Sequence, residues 1–408
     1  MKILLVNNQF QLGGAETVVG QLHAGITAAG HRAAICVADG KTYPRGVEPL
    51  YPKLLSRLSH SRFHENMERF FPRFAWTDAA FRQLEKSDAD VIHLHNFHGN
   101  YASIQSLAHL ATRKKVVWTF HAFWGITGGC DHPRECMRYQ QKCGACPQVG
   151  MWPVGATDHT AEQLKKKLAL LKDAPLHIIA PSRFVAETVC TSQVGQRWIV
   201  HHIPNGVAAE RFGFARKNDP AFREVLGLDP DATIILVVNR NFQDEQKGFS
   251  MIRGALAEIE PRGVQVVLAG ENSEWAAAQI PAFATRSIGY ISGRAQLAEL
   301  YEAADVFLFA SPAENFPCVV LEAMAAQCCV VATPTGGIVE QITHEKTGLF
   351  ASAISGESLA KPLQAALHDA PSRQRMALAA RAEVVEKFGE RQMILEHLKL
   401  YSALADEN

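Results

Sequence analysis

Along most of the chain, short apolar runs rich in branched residues alternate with longer stretches in which apolar residues recur every three or four positions. KILLVNN (2–8), RAAICVA (32–38), DVIHLHN (90–96), KVVWTFH (115–121) and HIIAPS (177–182) are bounded by turn or polar residues and predict buried strands. Between the first two, AETVVGQLHAGITAAG (15–30) has the helical period and ends on Gly30, a C-terminal cap signal. The pattern then restarts. TIILVVN (233–239), VQVVLAG (264–270), DVFLFAS (305–311) and CVVATP (329–334) predict strands separated by the helices KGFSMIRGALAEI, AQLAELYEAA and CVVLEAMAA. Strand and helix in strict alternation predict parallel α/β sheets with crossover helices, here two doubly wound domains in tandem.

With 408 residues the chain exceeds one hydrophobic core and fits two domains. The boundary is expected in HHIPNGVAAERF (201–212), where a strand-like run meets an Asn-Gly turn. The expected domains are residues 1–205 and 206–387, with 388–408 forming a last helix. From about residue 357 the pattern is helical, and QMILEHLKLYSAL is apolar enough to dock on the first domain. The region 41–85 contains LLSRLSHSRFHENMERFFPRFAW, in which bulky apolar residues alternate with basic ones, as in a helix-loop-helix insertion or a membrane-surface segment.

Charged residues make up 20% of the chain, and no apolar run approaches the roughly 20 residues of a membrane span. MKILLVNN stops at asparagine and reads as a first strand rather than a signal peptide, which predicts a cytoplasmic location. The net charge of zero conceals an asymmetry: residues 1–205 carry 23 Lys+Arg against 15 Asp+Glu, and residues 206–408 carry 18 against 26. The basic first half suits an anionic partner, such as the inner membrane face or a lipid diphosphate, or reflects chance variation between two solvated surfaces. Basic residues are not interleaved with aromatics on a strand platform, so nucleic acid is not an expected partner.

In open α/β sheets ligands bind beyond the carboxyl ends of strands, and the chemically suggestive residues fall there. Gly13 and Gly14 follow the first strand and open a helix, where free amides suit a phosphate, although a plain tight turn has the same sequence. Arg240 ends the strand TIILVVN, and Lys247-Gly248 stands at the next helix start; such a cation pair suits a diphosphate or is solvated surface charge. In SPAENFPCVVLEAMAA, Glu314 lies in a loop and Glu322 on the following helix, with the amides near Asn315, Phe316, Pro317, Cys318 and Val319 forming the helix N-terminus. Carboxylates accept paired hydrogen bonds from sugar and ribose hydroxyls; the bland alternative makes Glu322 an exposed helix residue.

The Glu-x7-Glu pattern within ENFPCVVLEAMAAQCCVVATPTGGIVEQI, followed by KTGLF, resembles the donor-site signature of the retaining glycosyltransferases of family 4, which have the GT-B fold of two Rossmann-like domains facing a cleft. LGGAE, TFHAFWGITGG, APS (180–182), IPNGV (203–207), Arg240 with Lys247-Gly, AG (269–270) and IGYIS (288–292) agree in order. The resemblance implies that Arg240 and Lys247 hold the diphosphate of a nucleotide sugar, UDP by default and GDP as the alternative. It implies that Glu322 binds ribose and that Glu314 with residues 315–319 holds the sugar. His121 would reach the same sugar, Gly13, Gly14 and Gly270 would line the donor, and Tyr290 would meet the base. His121, Lys247 and Glu314 are the implied catalytic set, with no catalytic metal. The acceptor hydroxyl would attack from the face that the diphosphate leaves, a phosphate oxygen taking its proton. Two departures stand out: the inserted QDEQ separates Arg240 from Lys247 by more than is usual, and Ala208 replaces an Asp that often follows IPNGV.

CDHPRECMRYQQKCGAC places Cys130, Cys136, Cys143 and Cys146 in one loop. Four thiolates would close a structural zinc site, with a Cys3His set through His132 as a variant; packed free thiols and disulfides are the other readings. Some members of the family resemble the chain here too, with a Thr-Gly-Gly-Cys loop after the histidine-bearing strand. In HLHNFHGN, His93 and His95 share a strand face, which suits a metal pair or polar strand-end residues; His95 and Asn96 are the expected acceptor-side pair, with His98 nearby. Cys36, Cys190, Cys318, Cys328 and Cys329 read as small core residues. The expectation is a transferase acting on a saccharide or lipid-linked acceptor in polysaccharide or glycolipid biosynthesis. Its rivals are a GT-B epimerase or phosphorylase and a non-enzymatic nucleotide- or zinc-binding protein.

Overall fold

The runs with the most branched apolar residues become the inner strands of two sheets, because a strand covered on both faces needs apolar side chains on both. In the computed structural model, the first seven strands are β1 (Lys2–Asn7), β2 (Arg32–Val37), β3 (Val47–Pro49), β4 (Val91–Leu94), β5 (Lys115–Thr119), β6 (Leu176–Ala180) and β7 (Ile199–His202), all paired in parallel in the order β3-β2-β1-β4-β5-β6-β7. Every residue of β4 is buried, whereas the edge strands β3 and β7 hold no buried residue. The helices described in this region are α1 (Gly14–Ala28), α2 (Ala75–Lys86), α3 (Ile104–Ala111), α4 (Thr160–Leu171) and α5 (Arg183–Thr191). Ser182, which ends the APS motif, caps α5 by accepting the Val185 amide at 3.1 Å.

The second sheet contains β8 (Thr233–Asn241), β9 (Val264–Glu271), β10 (Ala284–Gly289), β11 (Val306–Phe309), β12 (Cys329–Ala332) and β13 (Gly348–Phe350), parallel in the order β10-β9-β8-β11-β12-β13. Its helices include α6 (Pro220–Val225), α7 (Phe249–Leu256), α8 (Ser273–Ala278), α9 (Arg294–Ala303), α10 (Cys318–Ala325) and α11 (Ile338–Gln341). Three longer ones follow, α12 (Gly356–His368), α13 (Ala370–Lys387) and α14 (Glu390–Asp406). The chain divides into two compact units, one of Met1–Pro204 with Ile394–Asn408 and one of Asn205–Met393, so α14 begins in the second and runs on into the first. Tyr401 on α14 is fully buried in the first unit, where its hydroxyl meets His93 Nδ1 at 2.6 Å.

The structure describes all residues except 11–12, 39–45, 51–74, 98–102, 218 and 408, and of helix α2 it describes the side chains only from Phe81 onward. Most of the expected insertion at 41–85, and His98, therefore lie outside the described residues. Among the described residues no helix is long and apolar enough to cross a membrane.

Both sheets have a switch point, where consecutive strands leave in opposite directions from a central one. In the first it lies between β1 and β4, and in the second between β8 and β11. Loops at the carboxyl ends of these strand pairs splay apart and leave a crevice for a ligand.

Candidate active site

At the switch point of the second sheet, two glycines let the chain bend tightly enough to bring cations to the strand ends. Gly270, at φ +151°, closes β9; a Cβ there would lie 1.8 Å from the Asn239 carbonyl oxygen on β8. Gly248, at φ +70°, sits between Lys247 and α7, and its Cβ would lie 2.1 Å from the Ala310 carbonyl oxygen beyond β11. Only glycine fits at either place. The Asn239 side chain donates to the Lys247 carbonyl oxygen at 3.2 Å and pins the end of the QDEQ insertion back onto β8.

Lys247 Nζ thereby reaches Glu314 Oε1 at 3.4 Å. The Glu314 carboxylate raises the pKa of the ammonium, burial opposes it, and the charge of Arg240 also opposes it. The insertion therefore leaves the two cations close enough to feel each other. Arg240 itself is exposed, while Lys247 is half-buried. Asn315, Phe316 and Cys318 are buried, and Pro317 and Val319 are partly exposed at the start of α10. Two contacts that the sequence did not reveal fix this loop: Asn205 Nδ2 donates to the Phe316 carbonyl oxygen at 3.1 Å, and Gln341 Nε2 donates to the Pro317 carbonyl oxygen at 3.0 Å. Those two contacts hold the backbone that leads into α10.

Glu322 is not an exposed helix residue. Its carboxylate accepts a hydrogen bond from the buried Tyr301 hydroxyl at 3.2 Å, and burial raises its pKa against the opposing effects of Tyr301 and of Arg294. Tyr290, just past β10, has 42% of its surface exposed.

The first unit's switch point is chemically different. Glu16, in the first turn of α1, folds back over Gly13: a Cβ on Gly13 would lie 2.8 Å from its Oε2. Asn96, at φ 43° just beyond β4, donates to Glu16 Oε1 at 3.2 Å and so bridges the two strand ends. A carboxylate is stabilised at a helix N-terminus, and a second anion arriving beside Gly13 and Gly14 meets its charge. Beside this pair stand histidines. His95 Nδ1 lies 3.0 Å from His121 Nε2 with the rings stacked, and His93 Nε2 lies 2.7 Å from Thr119 Oγ1. His93 and His95 are fully buried, while His121 is partly exposed. Burial holds all three below the usual imidazole range, His121 at about 4, and the neighbouring His397 pushes the same way. All three are neutral at pH 7.

The cysteine loop follows His121, but the zinc expectation is not supported. Cys130, Cys136, Cys143 and Cys146 line one small cavity and are free thiols, and among the described residues no three His, Cys, Asp or Glu side chains are placed to hold a metal ion. Polar anchors hold the loop instead. Buried Lys167 on α4 donates to the carbonyl oxygens of Trp124 and of Thr127, the latter at 3.0 Å, and its ammonium sits 3.5 Å over the Trp124 ring. Asp158 accepts the Cys146 amide at 2.8 Å and the Thr160 hydroxyl at 2.6 Å, and Gln148 donates to the His132 carbonyl oxygen at 2.7 Å. Burial pushes the Cys130 thiol up to about 12, which keeps it protonated. Of the five remaining cysteines four are buried, while Cys190, expected in the core, is exposed near the end of α5.

Known proteins share this architecture. Sucrose-phosphate synthase from Thermosynechococcus elongatus superposes with a TM-score of 0.75 at 21% identity, covering 99% of each chain. Anabaena HepE, solved in complex with UDP and glucose, does so at 0.70 and 17%, covering 99% of this chain and 100% of that one. Among curated relatives, a putative colanic acid biosynthesis glycosyl transferase of Escherichia coli K12 is 22% identical over 99% of this chain and all of its own. An uncharacterized glycosyltransferase of Methanocaldococcus jannaschii is 28% identical over 55% of this chain, which spans 59% of that relative's length. The model for Glycosyltransferase Family 4 matches residues 12–211, and that for Glycosyl transferases group 1 matches residues 218–383. The first model spans β2 to β7 and the second β8 to β13, and the chain belongs to the family 4, group 1 glycosyltransferases and has their GT-B fold.

Proposed function

We propose that the chain is a retaining glycosyltransferase that binds a nucleotide sugar at the second switch point and passes the sugar to a saccharide or lipid-linked acceptor in polysaccharide or glycolipid biosynthesis. The observation that carries this reading is the Lys247–Glu314 pair, held where β8 and β11 diverge, with Arg240 close by and the N-terminus of α10 following Glu314. Two cations and a helix N-terminus suit a diphosphate, and a carboxylate beside them suits sugar hydroxyls. Lys247 and Arg240 hold the diphosphate and stabilise its departing charge. Glu314 and the amides of residues 315–319 hold the sugar, Glu322 takes the ribose hydroxyls, Gly270 allows close approach, and Tyr290 meets the base. His121 keeps the sugar-binding role that the family resemblance implies for it. The acceptor hydroxyl attacks from the face the diphosphate leaves, a donor phosphate oxygen takes its proton, and the new bond keeps the anomeric configuration.

UDP is the proposed nucleotide of the donor, with support from the UDP complex of the Anabaena neighbour, and GDP is the alternative. The excess of basic residues in the first half supports an anionic or lipid-diphosphate acceptor and peripheral contact with an anionic membrane face. The test is a panel of UDP-, GDP- and ADP-sugars incubated with the protein, followed by NMR. Slow hydrolysis of one donor with retained anomeric configuration is expected. Epimer formation would favour an isomerase, and no turnover of any donor would favour a binding protein.

A further inference from the structure

The loop that carries Glu314 is tied at both ends by side chains of one neighbouring segment. Beyond β12, the Thr333 hydroxyl accepts the Ser311 amide at 3.2 Å and donates to the Ser311 carbonyl oxygen at 3.1 Å, and the Thr335 hydroxyl donates to that same oxygen at 2.8 Å. At the other end, Gln341 of α11 donates to the Pro317 carbonyl oxygen at 3.0 Å. Ser311, Thr333, Thr335 and Gln341 are buried, whereas residues 312–314 between the anchors are partly exposed. The other partner of the ion pair is registered on the same stretch, because Gly248, next to Lys247, lies against the Ala310 carbonyl. Gln341 has a second property: its Oε1 is buried with no hydrogen-bond partner among the described residues. The orientation of the amide is dictated, since a carbonyl oxygen only accepts and must face the amide nitrogen. An unpaired buried acceptor costs stability, and an apolar side chain of similar size would avoid that cost.

We propose that Thr335 and Gln341 are positioning residues of the donor site: from the motif TPTGGIVEQ (333–341) they clamp the loop 311–317 at its two ends and so hold Glu314 beside Lys247. The inference rests on the reading of that ion pair as part of the donor site. Held at one end only, the loop swings about that end and carries the carboxylate away from the ammonium that lies 3.4 Å from it; held at both, it keeps one position. A sugar hydroxyl needs the carboxylate at hydrogen-bond distance and in a fixed direction, so the clamp acts on the sugar part of the donor more than on the nucleotide. The clamp also accounts for a polar residue kept in the core with its oxygen unpaired: the gain from what its nitrogen holds lies in function, not in stability.

The test pairs Gln341→Met, which removes both the anchor and the unpaired oxygen, with Thr335→Val and Thr335→Ser. Gln341→Met and Thr335→Val are each expected to lower kcat/KM for the nucleotide sugar by about tenfold, the scale of one lost hydrogen bond, while the Kd for the nucleotide alone stays within about twofold. Thr335→Ser keeps the hydroxyl and is expected to keep most of the activity. Gln341→Met is expected to melt at or above the wild-type Tm, the opposite of what a purely structural role requires. Combining Gln341→Met with Thr335→Val is expected to cost much less than the product of the single losses, because releasing either end frees the same loop. Hydrogen exchange of the nucleotide-free protein is expected to be faster over residues 311–320 in both variants and unchanged in the rest of the second unit. Wild-type kcat/KM in both variants would overturn the proposal, as would unchanged exchange over 311–320. So would a loss that comes with a lower Tm and equally weaker nucleotide binding, since that result shows support of the fold rather than of Glu314. If the wild type binds no nucleotide sugar, the donor reading falls by itself, and the exchange measurement still decides whether the two residues clamp the loop.

Discussion

The two switch points occupy the same place in similar sheets and are chemically opposite. In the second unit, the Lys247–Glu314 ion pair and the exposed Arg240 stand at the strand ends, and the carbonyls behind them are tied down by Asn205 and Gln341. In the first, His93 and His95 are buried and His121 is partly exposed, burial holds all three below the usual imidazole range, and the carboxylate of Glu16 is bound by Asn96. A polar, charged crevice suits a diphosphate, whose charge grows as it leaves. A neutral one suits hydroxyl groups, whose charge stays near zero.

The largest effect expected from this contrast is on acid stability. Histidines held below their usual range contribute stability that is present above about 6.5 and lost as pH falls toward the folded value, about 4 for His121. Each contributes a slope of up to about 1.4 kcal/mol per pH unit over that window. Thermal melts from pH 7 to pH 4 should show a steep loss, and His93→Gln should flatten it; a flat wild-type profile would mean that the cluster is charged or open to water. Next comes Lys247→Ala, expected to lower kcat by about 100-fold in a donor-hydrolysis assay. Unchanged turnover would remove the distinction between the two crevices.

Much of the second site was legible in the sequence because its groups come from short contiguous motifs. The run TIILVVN leads directly into Arg240, and Glu314 and Glu322 stand on either side of one helix start. The inner strands were legible too, since burial on both faces leaves an apolar run. The edge strands β3 and β10 were not: β10 reads ATRSIG, with no buried residue and the composition of a loop. The pairings that complete each site were invisible for a different reason. Asn205 and Phe316 are 111 residues apart, and His93 and Tyr401 are 308 apart. A lone Asn, Gln or Tyr has no local pattern that announces such a partner. The cysteine loop shows the opposite error: its spacing was conspicuous, yet its anchors are Lys167, Asp158 and Gln148.

Two smaller effects sharpen the comparison. Gly270→Ala should destabilise the second unit by about 2 kcal/mol or more, through strained backbone and collision with the Asn239 carbonyl, read as a lower Tm. Glu322→Gln should do the reverse. A carboxyl raised by burial favours folding while protonated, and that contribution is lost as pH rises through its folded pKa. The variant should therefore melt higher than wild type at pH 7.5, by an amount that shrinks toward pH 4, while binding the nucleotide more weakly. A variant that melts lower at pH 7.5 would show that the charged form of Glu322 is fully compensated.

The most direct measurement is calorimetric titration of UDP and GDP into the wild-type protein and Lys247→Ala. Binding of one nucleotide by the wild type, weakened at least about tenfold in the variant, is the predicted result. Equal affinity in the two proteins, or no binding of either nucleotide by the wild type, would contradict a diphosphate site at the second switch point.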